Sequence, residues 1–403
     1  MALPLRTAVL HVDYGARASY YDDWLDAFLS HDMFEASGFN VFKNGELSAF
    51  AKRIRDFDLI VLLHSVTADS LIYAEKCRAV LQDRTGRLLS FVGNEVSLPG
   101  ALLGPKIAFL KSIQPDIVAT QLLQKSGEYL YAGVKGACVV AVPHALNPAA
   151  FQPLTPQAGR PIDIGTRSFK YLAFIGDDDR NRIHDFFENG SFTPPLHVDV
   201  ATSERLDRRD WAAFLNRCKA TISTEAGTWW LESDDRTVLR IRDWLDSRRG
   251  GPGGFTIRSD SKLRRIGHFL PWGLKQRLRP LLSRGPIRHE AFTHEALDFE
   301  TIYQRFFKDT PKSPESGKCI SSRHFDAIGA KTCQIMFPGR FNDILKADEH
   351  YIALAPDFSN IDDVLARFRD PTFRQAMIDR SYEYVRDQHS YTHRLSSIRK
   401  WLD

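Results

Sequence analysis

Ser321-Ser-Arg-His-Phe-Asp-Ala-Ile-Gly-Ala-Lys-Thr-Cys-Gln-Ile-Met-Phe-Pro-Gly339 is the stretch that decides the fold. It reads as an amphipathic helix, a glycine turn and a buried strand. Thr332 to Phe337 is mostly apolar and short enough for a strand covered on both faces, the habit of parallel sheets. Arg323 and Asp326 stand three residues apart, nearly one helical turn, so the spacing predicts that both side chains face one cleft. A guanidinium fork and an acceptor at a helix start suit a ligand that carries phosphates and sugar hydroxyls. The alternative is an Asp–Arg pair that caps and solvates the helix.

Short apolar runs alternate with amphipathic segments on the N-terminal side. Strands are expected at Ala8–Val12, Phe39–Phe42, Asp58–Leu63, Leu88–Val92, Ile117–Thr120 and Ala137–Val142, with helices at Tyr20–Phe34 and Ala68–Leu81. That alternation predicts an α/β architecture, a parallel sheet with right-handed crossovers. From Pro143 to Gly165 five prolines break the pattern and mark a linker. A second alternation is expected to begin with a strand at Tyr171–Gly176. It continues through a helix at Arg180–Phe187, a helix at Asp210–Leu215 and a strand at Ala220–Ser223, then resumes at Ser321–Gly339. The chain divides as 1–150, a Rossmann-like domain; 151–165, a linker; 166–385, a second Rossmann-like domain with an insertion at 233–318; and 386–403, a closing helix.

The insertion is strongly basic. Between Arg236 and Arg288 lie twelve Arg and two Lys against three Asp, in a chain whose net charge is only +4. Within it KLRRIGHFLPWGLKQRLRPLLSR (262–284) interleaves cations with Leu, Phe and Trp, behind the Gly-rich run 250–254. Such a segment suits an anionic membrane surface, with Trp and Leu inward and Arg snorkelling. A basic lobe packed on the core and a nucleic-acid contact are the alternatives, and nucleic acid is not the expected partner. The five cysteines show no CxxC spacing and read as reduced, buried thiols. The N-terminus lacks the basic start and long apolar core of a signal peptide, and no run approaches a membrane span. The expected location is cytoplasmic, with peripheral contact at the inner membrane face.

The residues Arg323, Phe325, Asp326 and Ala327 stand where the C-terminal half of GT-B glycosyltransferases, in particular the CgeB-like group, carries Arg-x-Phe-Glu-Ala; the match departs in Asp326 for Glu and in the early Gly329. VVAVPHALNPAAFQPL (139–154) also resembles the end of a GT-B N-terminal domain. The resemblance implies two Rossmann-like domains facing a cleft, with the last helix crossing back to the first domain, where Trp401 is placed as an anchor. It implies a nucleotide-sugar donor on the second domain, a glycan or lipid-linked acceptor on the first, and Asp326 at the ribose. No metal or other cofactor is expected.

Gly176-Asp-Asp-Asp-Arg180 offers Gly176 for close backbone approach and Arg180 or Arg182 for a diphosphate. The same run also reads as an Asp-x-Asp metal site of the GT-A class, through Asp177 and Asp179, or as plain helix capping. Glu225 and Gly227, at a strand's carboxyl end, are candidates to line the donor sugar, and His324 and Lys331 join the donor set with Arg323. For the acceptor base the candidates are Asp13, His64 and Glu95, each just beyond a strand of the first sheet, and His144 is placed to reach the cleft. No P-loop, GxGxxG or GxSxG element is present, and the spacing of His289 and His294 misses a shared helix face. The expected activity is glycosyl transfer, and a non-catalytic two-lobed nucleotide or glycan binder is the alternative.

Overall fold

The computed structural model describes residues 3–13, 19–68, 71–203, 205–248, 255–257, 287–289 and 297–402. The first sheet holds β1 (Leu5–His11), β2 (Phe34–Asn40), β3 (Leu59–Leu62), β4 (Arg87–Phe91), β5 (Ile117–Thr120) and β6 (Cys138–Ala141) in the order β2-β1-β3-β4-β5-β6. Every pair is parallel, with Val9 opposite Val61 and Leu89 opposite Ile117. Successive residues face opposite layers. Ala8, Leu10, Ile60 and Leu62 enter one core, while Val9, Leu59, Val61 and Leu89 enter the other.

The second sheet holds β7 (Ile162–Arg167), β8 (Val198–Ala201), β9 (Cys218–Ser223), β12 (Cys333–Met336) and β13 (Ile352–Ala353), ordered β13-β12-β9-β7-β8 and again parallel. Two further strands, β10 (Phe255–Ile257) and β11 (Ile287–His289), pair with each other in the insertion. Both main sheets reverse strand order beside their first strand, the switch point where open α/β sheets take ligands.

Three sequence expectations are corrected. The opening strand of the second sheet is Ile162–Arg167, which overlaps the end of the proline-rich linker expected to reach residue 165. Pro161 sits just ahead of it, where a missing N–H costs no ladder bond. The apolar run at 171–176 is not a strand. Ala173–Ile175 forms a single 3-10 turn that ends at Gly176 (φ 66°), and Ala173 and Phe174 pack with Val238, Ile241, Phe306 and Phe307. In the first sheet the helix Ser19–Ser30 stops earlier than its apolar spacing suggests, and β2 starts at Phe34 rather than Phe39.

The last helix, Tyr391–Leu402, lies on the first sheet. Tyr391, Leu395, Ile398 and Leu402 enter the core that contains Trp24, Phe28 and Val61. These four anchor the crossover; Trp401 stays 39% exposed, because helical spacing puts it on the other face.

One described element of the basic insertion is packed. The helix Arg236–Arg248 buries Val238, Ile241 and Leu245 against the lobe formed with Phe299–Phe306. The glycine run 250–254 and the amphipathic stretch 262–284 lie outside the described residues. No described helix is long and apolar enough to cross a membrane.

Asp235 fastens this lobe to the first domain. Its Oδ1 accepts from Leu103 N (2.7 Å) and Ser97 Oγ (2.8 Å), and its Oδ2 from Gly104 N (3.0 Å), so it caps a helix, Leu103–Ile113, of the other domain. Glu232 meanwhile serves the start of Arg236–Arg248, accepting from Thr237 N (3.1 Å) and Thr237 Oγ1 (2.5 Å). A Cβ on Gly104 would stand 2.8 Å from Asp235 Oδ2, so the close approach requires glycine there.

Candidate active site

The carboxyl ends of the two sheets enclose a cavity of about 310 Å³. The first domain contributes Asn94, Glu95, Gln121 and His144 from the loops after β4, β5 and β6. The second contributes Tyr171, Arg180, Arg205, Gly227 and the start of the helix Ser322–Gly329, including Arg323.

The second-domain wall is cationic: Lys170 pairs with Asp185, but Arg180, Arg205 and Arg323 make no ion pair among the described residues. Arg180, in the first turn of the helix Asp179–Asn189, is 6% exposed and lies over the Tyr171 ring at 3.7 Å. Among the described residues its guanidinium makes no hydrogen bond or ion pair, and its Nε is buried without a partner. Tyr171 is itself fixed: its backbone N donates to Asn181 Oδ1 (2.7 Å) and its hydroxyl accepts from Gly227 N (3.1 Å). Arg323 reaches only Ser168 Oγ, at 3.3 Å, and burial followed by the neighbouring Arg180 pushes it down to about 9. Arg205 lies 5.3 Å from the Phe169 ring centroid. Glu95 is the one acid in the lining among the described residues. A buried cation such as Arg180 is costly unless an anion completes it, and Arg180 and the half-buried Arg323 stand in the first turns of helices, which also favour anions.

Residues 301–400 match a family model described as glycosyl transferase-like. An alpha-glucosyltransferase in complex with UDP-glucose and DNA containing an abasic site superposes with a TM-score of 0.51 at 10% identity, over 99% of each chain. The chain has the GT-B fold. The alpha-glucosyltransferase AGT in complex with UDP gives 0.50 at 10% identity over 99% of each chain. Anabaena HepE in complex with UDP and glucose gives 0.48 at 8%, also over 99% of each. No curated protein sequence matches the chain.

Within this GT-B cleft the structure brings together only some of the residues singled out from sequence. Arg180, Gly227, Arg323 and Glu95 line the cavity, and so does His144. Asp326 does not. Its Oδ2 accepts from Trp211 Nε1 (3.0 Å), and burial followed by Asp23 of the first domain holds its carboxyl well above the usual range. Three residues on a helix leave their side chains about 60° apart, and across that offset Arg323 faces the cleft while Asp326 meets Trp211.

Lys331 is also elsewhere. It takes a left-handed turn (φ 51°) and pairs with Asp379 at 2.6 Å. Arg182 lies on the outer side of its helix, over the Phe337 and Phe358 rings, and donates to the Pro356 carbonyl. His324 is a capping residue. Its Nδ1 accepts from Ser321 N (3.0 Å), its Nε2 meets Ser223 Oγ (3.0 Å), and burial lowers it to about 3. Gly176 opens onto Phe307, since a Cβ there would stand 2.5 Å from that ring.

Glu225 braces a loop rather than lining the cavity. Its Oε1 accepts from Phe341 N (2.6 Å), the first of three consecutive left-handed residues, Phe341 (44°), Asn342 (54°) and Asp343 (59°). Asn342 ties that loop to both domains: its Oδ1 accepts from Ile320 N (2.7 Å) and its Nδ2 donates to Gln121 O (3.0 Å).

Of the three base candidates, His64 is fully buried. It stacks on His144 (5.2 Å) and contacts Trp24 and Phe91, and burial holds it well below its ordinary value. Asp13 is exposed at the end of β1 and is not part of the lining. Glu95 Oε1 accepts from Thr120 Oγ1 (2.6 Å) and Tyr131 OH (2.6 Å), and Oε2 from Gln121 N (2.8 Å); burial raises its carboxyl above the ordinary value. The acid pair of the Asp-x-Asp reading holds a lysine instead of a metal: Lys318 Nζ lies 2.5 Å from Asp177 and 3.2 Å from Asp179. Among the described residues no cluster of three or more His, Cys, Asp or Glu could hold a metal.

Tyr171, Arg205 and Lys318 were not found from sequence. Tyr171 sits in an apolar run with the pattern of a strand, and Arg205 follows β8, whose residues are all half-buried and give no clean alternation.

Asp23 gives the interdomain contact a pH dependence. It is 2% exposed, and its Oδ1 accepts from Asn147 Nδ2 (2.7 Å) and Arg208 Nη1 (2.8 Å). Burial outweighs these bonds and raises it from 3.8 to about 6. A folded-state value above the unfolded one means this group's stability contribution is complete below pH 3.8 and is lost as pH rises towards 6. Asp23→Asn is expected to remove that slope and to gain about 3 kcal/mol over wild type at pH 7. Urea unfolding between pH 3 and 8 measures it, and parallel curves for the two proteins would refute it.

Proposed function

We propose that the chain transfers a sugar from a nucleotide-sugar donor to an acceptor hydroxyl, with the diphosphate on the second domain. The observation that carries this reading is the set Arg180, Arg205 and Arg323 around one interdomain cavity, none of them in an ion pair among the described residues, with Arg180 buried, Arg323 half-buried and Arg205 exposed at the rim. As the bond from the sugar C1 to the diphosphate breaks, negative charge grows on the departing phosphate, where preorganised guanidiniums act most strongly. These cations do without a metal the work that a divalent ion does elsewhere. The acceptor oxygen forms the new bond to C1 and loses its proton. Glu95 is the candidate to take it, because it lines the cavity, its Oε2 accepts a single bond and burial raises its carboxyl above the ordinary value, which makes it a better base.

The fold shared with a UDP-glucose-bound alpha-glucosyltransferase makes UDP-glucose the first donor to try. A glycan or lipid-linked acceptor, offered at an anionic membrane face, fits the basic segment 236–288.

Thermal unfolding with UDP, GDP, CMP, dTDP and their common sugars, with and without EDTA, tests the reading. A ligand at a hundredfold excess over its Kd stabilises by about 2.7 kcal/mol. A nucleotide-specific rise in Tm that survives EDTA is the expected result. A rise that needs metal would overturn the metal-free mechanism, and no rise with any nucleotide would overturn the donor site.

A further inference from the structure

Resting on that reading of the cleft, we infer that Lys318 is a positioning residue that keeps Arg180 free for the donor's phosphates, by neutralising the two carboxylates that would otherwise capture it. Lys318 belongs to the segment that returns from the insertion into the second domain. Its neighbour Cys319 pairs with Ala226 through two backbone bonds (2.8 and 2.9 Å), which places Gly317 and Cys319 in the cavity wall. The Lys318 side chain turns the other way and is 3% exposed. Its ammonium lies 2.5 Å from Asp177 Oδ2, 3.2 Å from Asp179 Oδ2 and 5.2 Å from the Trp229 ring centroid.

Those two acids flank the helix start that carries Arg180. Asp177 is 3% exposed and is among the charges that act on Arg180. A buried carboxylate that loses its cation takes the nearest substitute, because an unpaired charge in this environment is far costlier than a new ion pair. Asp179 already has Arg182 at 3.9 Å, whereas Asp177 has no second cation and acts on Arg180, which is held over Tyr171 by its ring contact and has no partner of its own among the described residues. An Arg180–Asp177 pair would draw that guanidinium out of the cavity. The sequence Asp177-Asp-Asp-Arg180, which resembles a metal site or a self-paired helix cap, thus leaves its arginine free because a residue far along the chain supplies the counter-charge.

The test compares wild type, Lys318→Met and the charge-balanced Asp177→Asn/Asp179→Asn/Lys318→Met. Affinity for UDP and for inorganic pyrophosphate is read by calorimetry, with Tm as the control for folding. Lys318→Met is expected to weaken both ligands by about tenfold or more, the loss of one charge-assisted contact. The triple variant, with no carboxylate left to capture Arg180, is expected to return to within about threefold of wild type, well under that loss. A merely structural role would lower Tm and leave the affinity of folded protein unchanged. Wild-type affinity in folded Lys318→Met, or a triple variant as weak as Lys318→Met, would overturn the inference. If Lys318→Met does not fold, the triple variant alone decides, since weak binding there contradicts it. Wild type that binds pyrophosphate but no nucleotide sinks the donor reading and leaves the Lys318 comparison standing, and wild type that binds neither overturns both.

Discussion

Arg323→Met is expected to weaken binding of a UDP-sugar by about thirty- to a hundredfold, while raising the Tm of the ligand-free protein. Both effects have one cause. The Arg323 side chain is half-buried near Arg180, reaches only Ser168 Oγ at 3.3 Å, and has its charge disfavoured by desolvation and by that neighbour. Removing it relieves a desolvated cation in the empty protein. In the complex it removes a charge-assisted contact to phosphate, worth about 1.5–3 kcal/mol, and each 1.4 kcal/mol is about tenfold in affinity. Arg182→Met is the control. That residue is two positions from Arg180 but lies outside the lining, over the Phe337 and Phe358 rings, so donor affinity should change by less than about threefold, as for a charge distant from the ligand. Calorimetry of both variants with UDP, beside their ligand-free melting curves, measures the pair of effects. An Arg323→Met protein that keeps wild-type affinity would remove the arginine from the donor site.

Arg160→Met is expected to cost about 3–5 kcal/mol of folding stability, the largest effect anticipated outside the cleft. Arg160 is 2% exposed, at the end of the proline-rich linker. Its Nε and Nη2 donate to Thr155 O, both at 2.9 Å, and Nη2 also to Ala330 O at 2.7 Å. Its Nη1 donates to Cys218 O (2.9 Å), Leu215 O (3.3 Å) and Thr332 Oγ1 (2.9 Å). One side chain therefore ties the linker to the start of β9 and to the turn before β12. Methionine fills much of the volume and satisfies none of these acceptors. Arg160→Lys is expected to recover little, because three donors on one nitrogen cannot span acceptors that a planar fork reaches. Urea unfolding gives the difference directly, and a loss below about 1 kcal/mol, the worth of a single ordinary hydrogen bond, would show that the carbonyls find other partners.

The arginines of this chain separate into functional and structural ones only in three dimensions. Arg160, Arg180, Arg182 and Arg323 carry the same charge and the same donors. Arg160 is satisfied by backbone carbonyls, Arg182 lies on aromatic rings, and Arg180 and Arg323 meet no anion among the described residues. Spacing along a helix could place Arg323 but not choose the face for Asp326. Which of the two looks into the cleft depends on how the helix Ser322–Gly329 packs against Trp211 and Leu146, contacts from distant parts of the chain.

The alternation of apolar runs and amphipathic segments by itself determined the α/β class, both parallel sheets and most of their strands, because a strand buried on both faces must be apolar at every position, as Leu59–Leu62 is. The Arg-x-Phe-Asp-Ala stretch and the layout around it were enough to identify the GT-B architecture. Local pattern misplaced the opening of the second sheet, where Ile162–Arg167 hides among prolines while Tyr171–Gly176 looks more strand-like and instead packs under the insertion. Only the tertiary structure decided which charges remain unpaired, since an ion pair such as Lys318–Asp177 joins residues remote in sequence. Burial, which makes an unpaired charge costly and therefore informative, is a property of the packed chain and not of any segment of it.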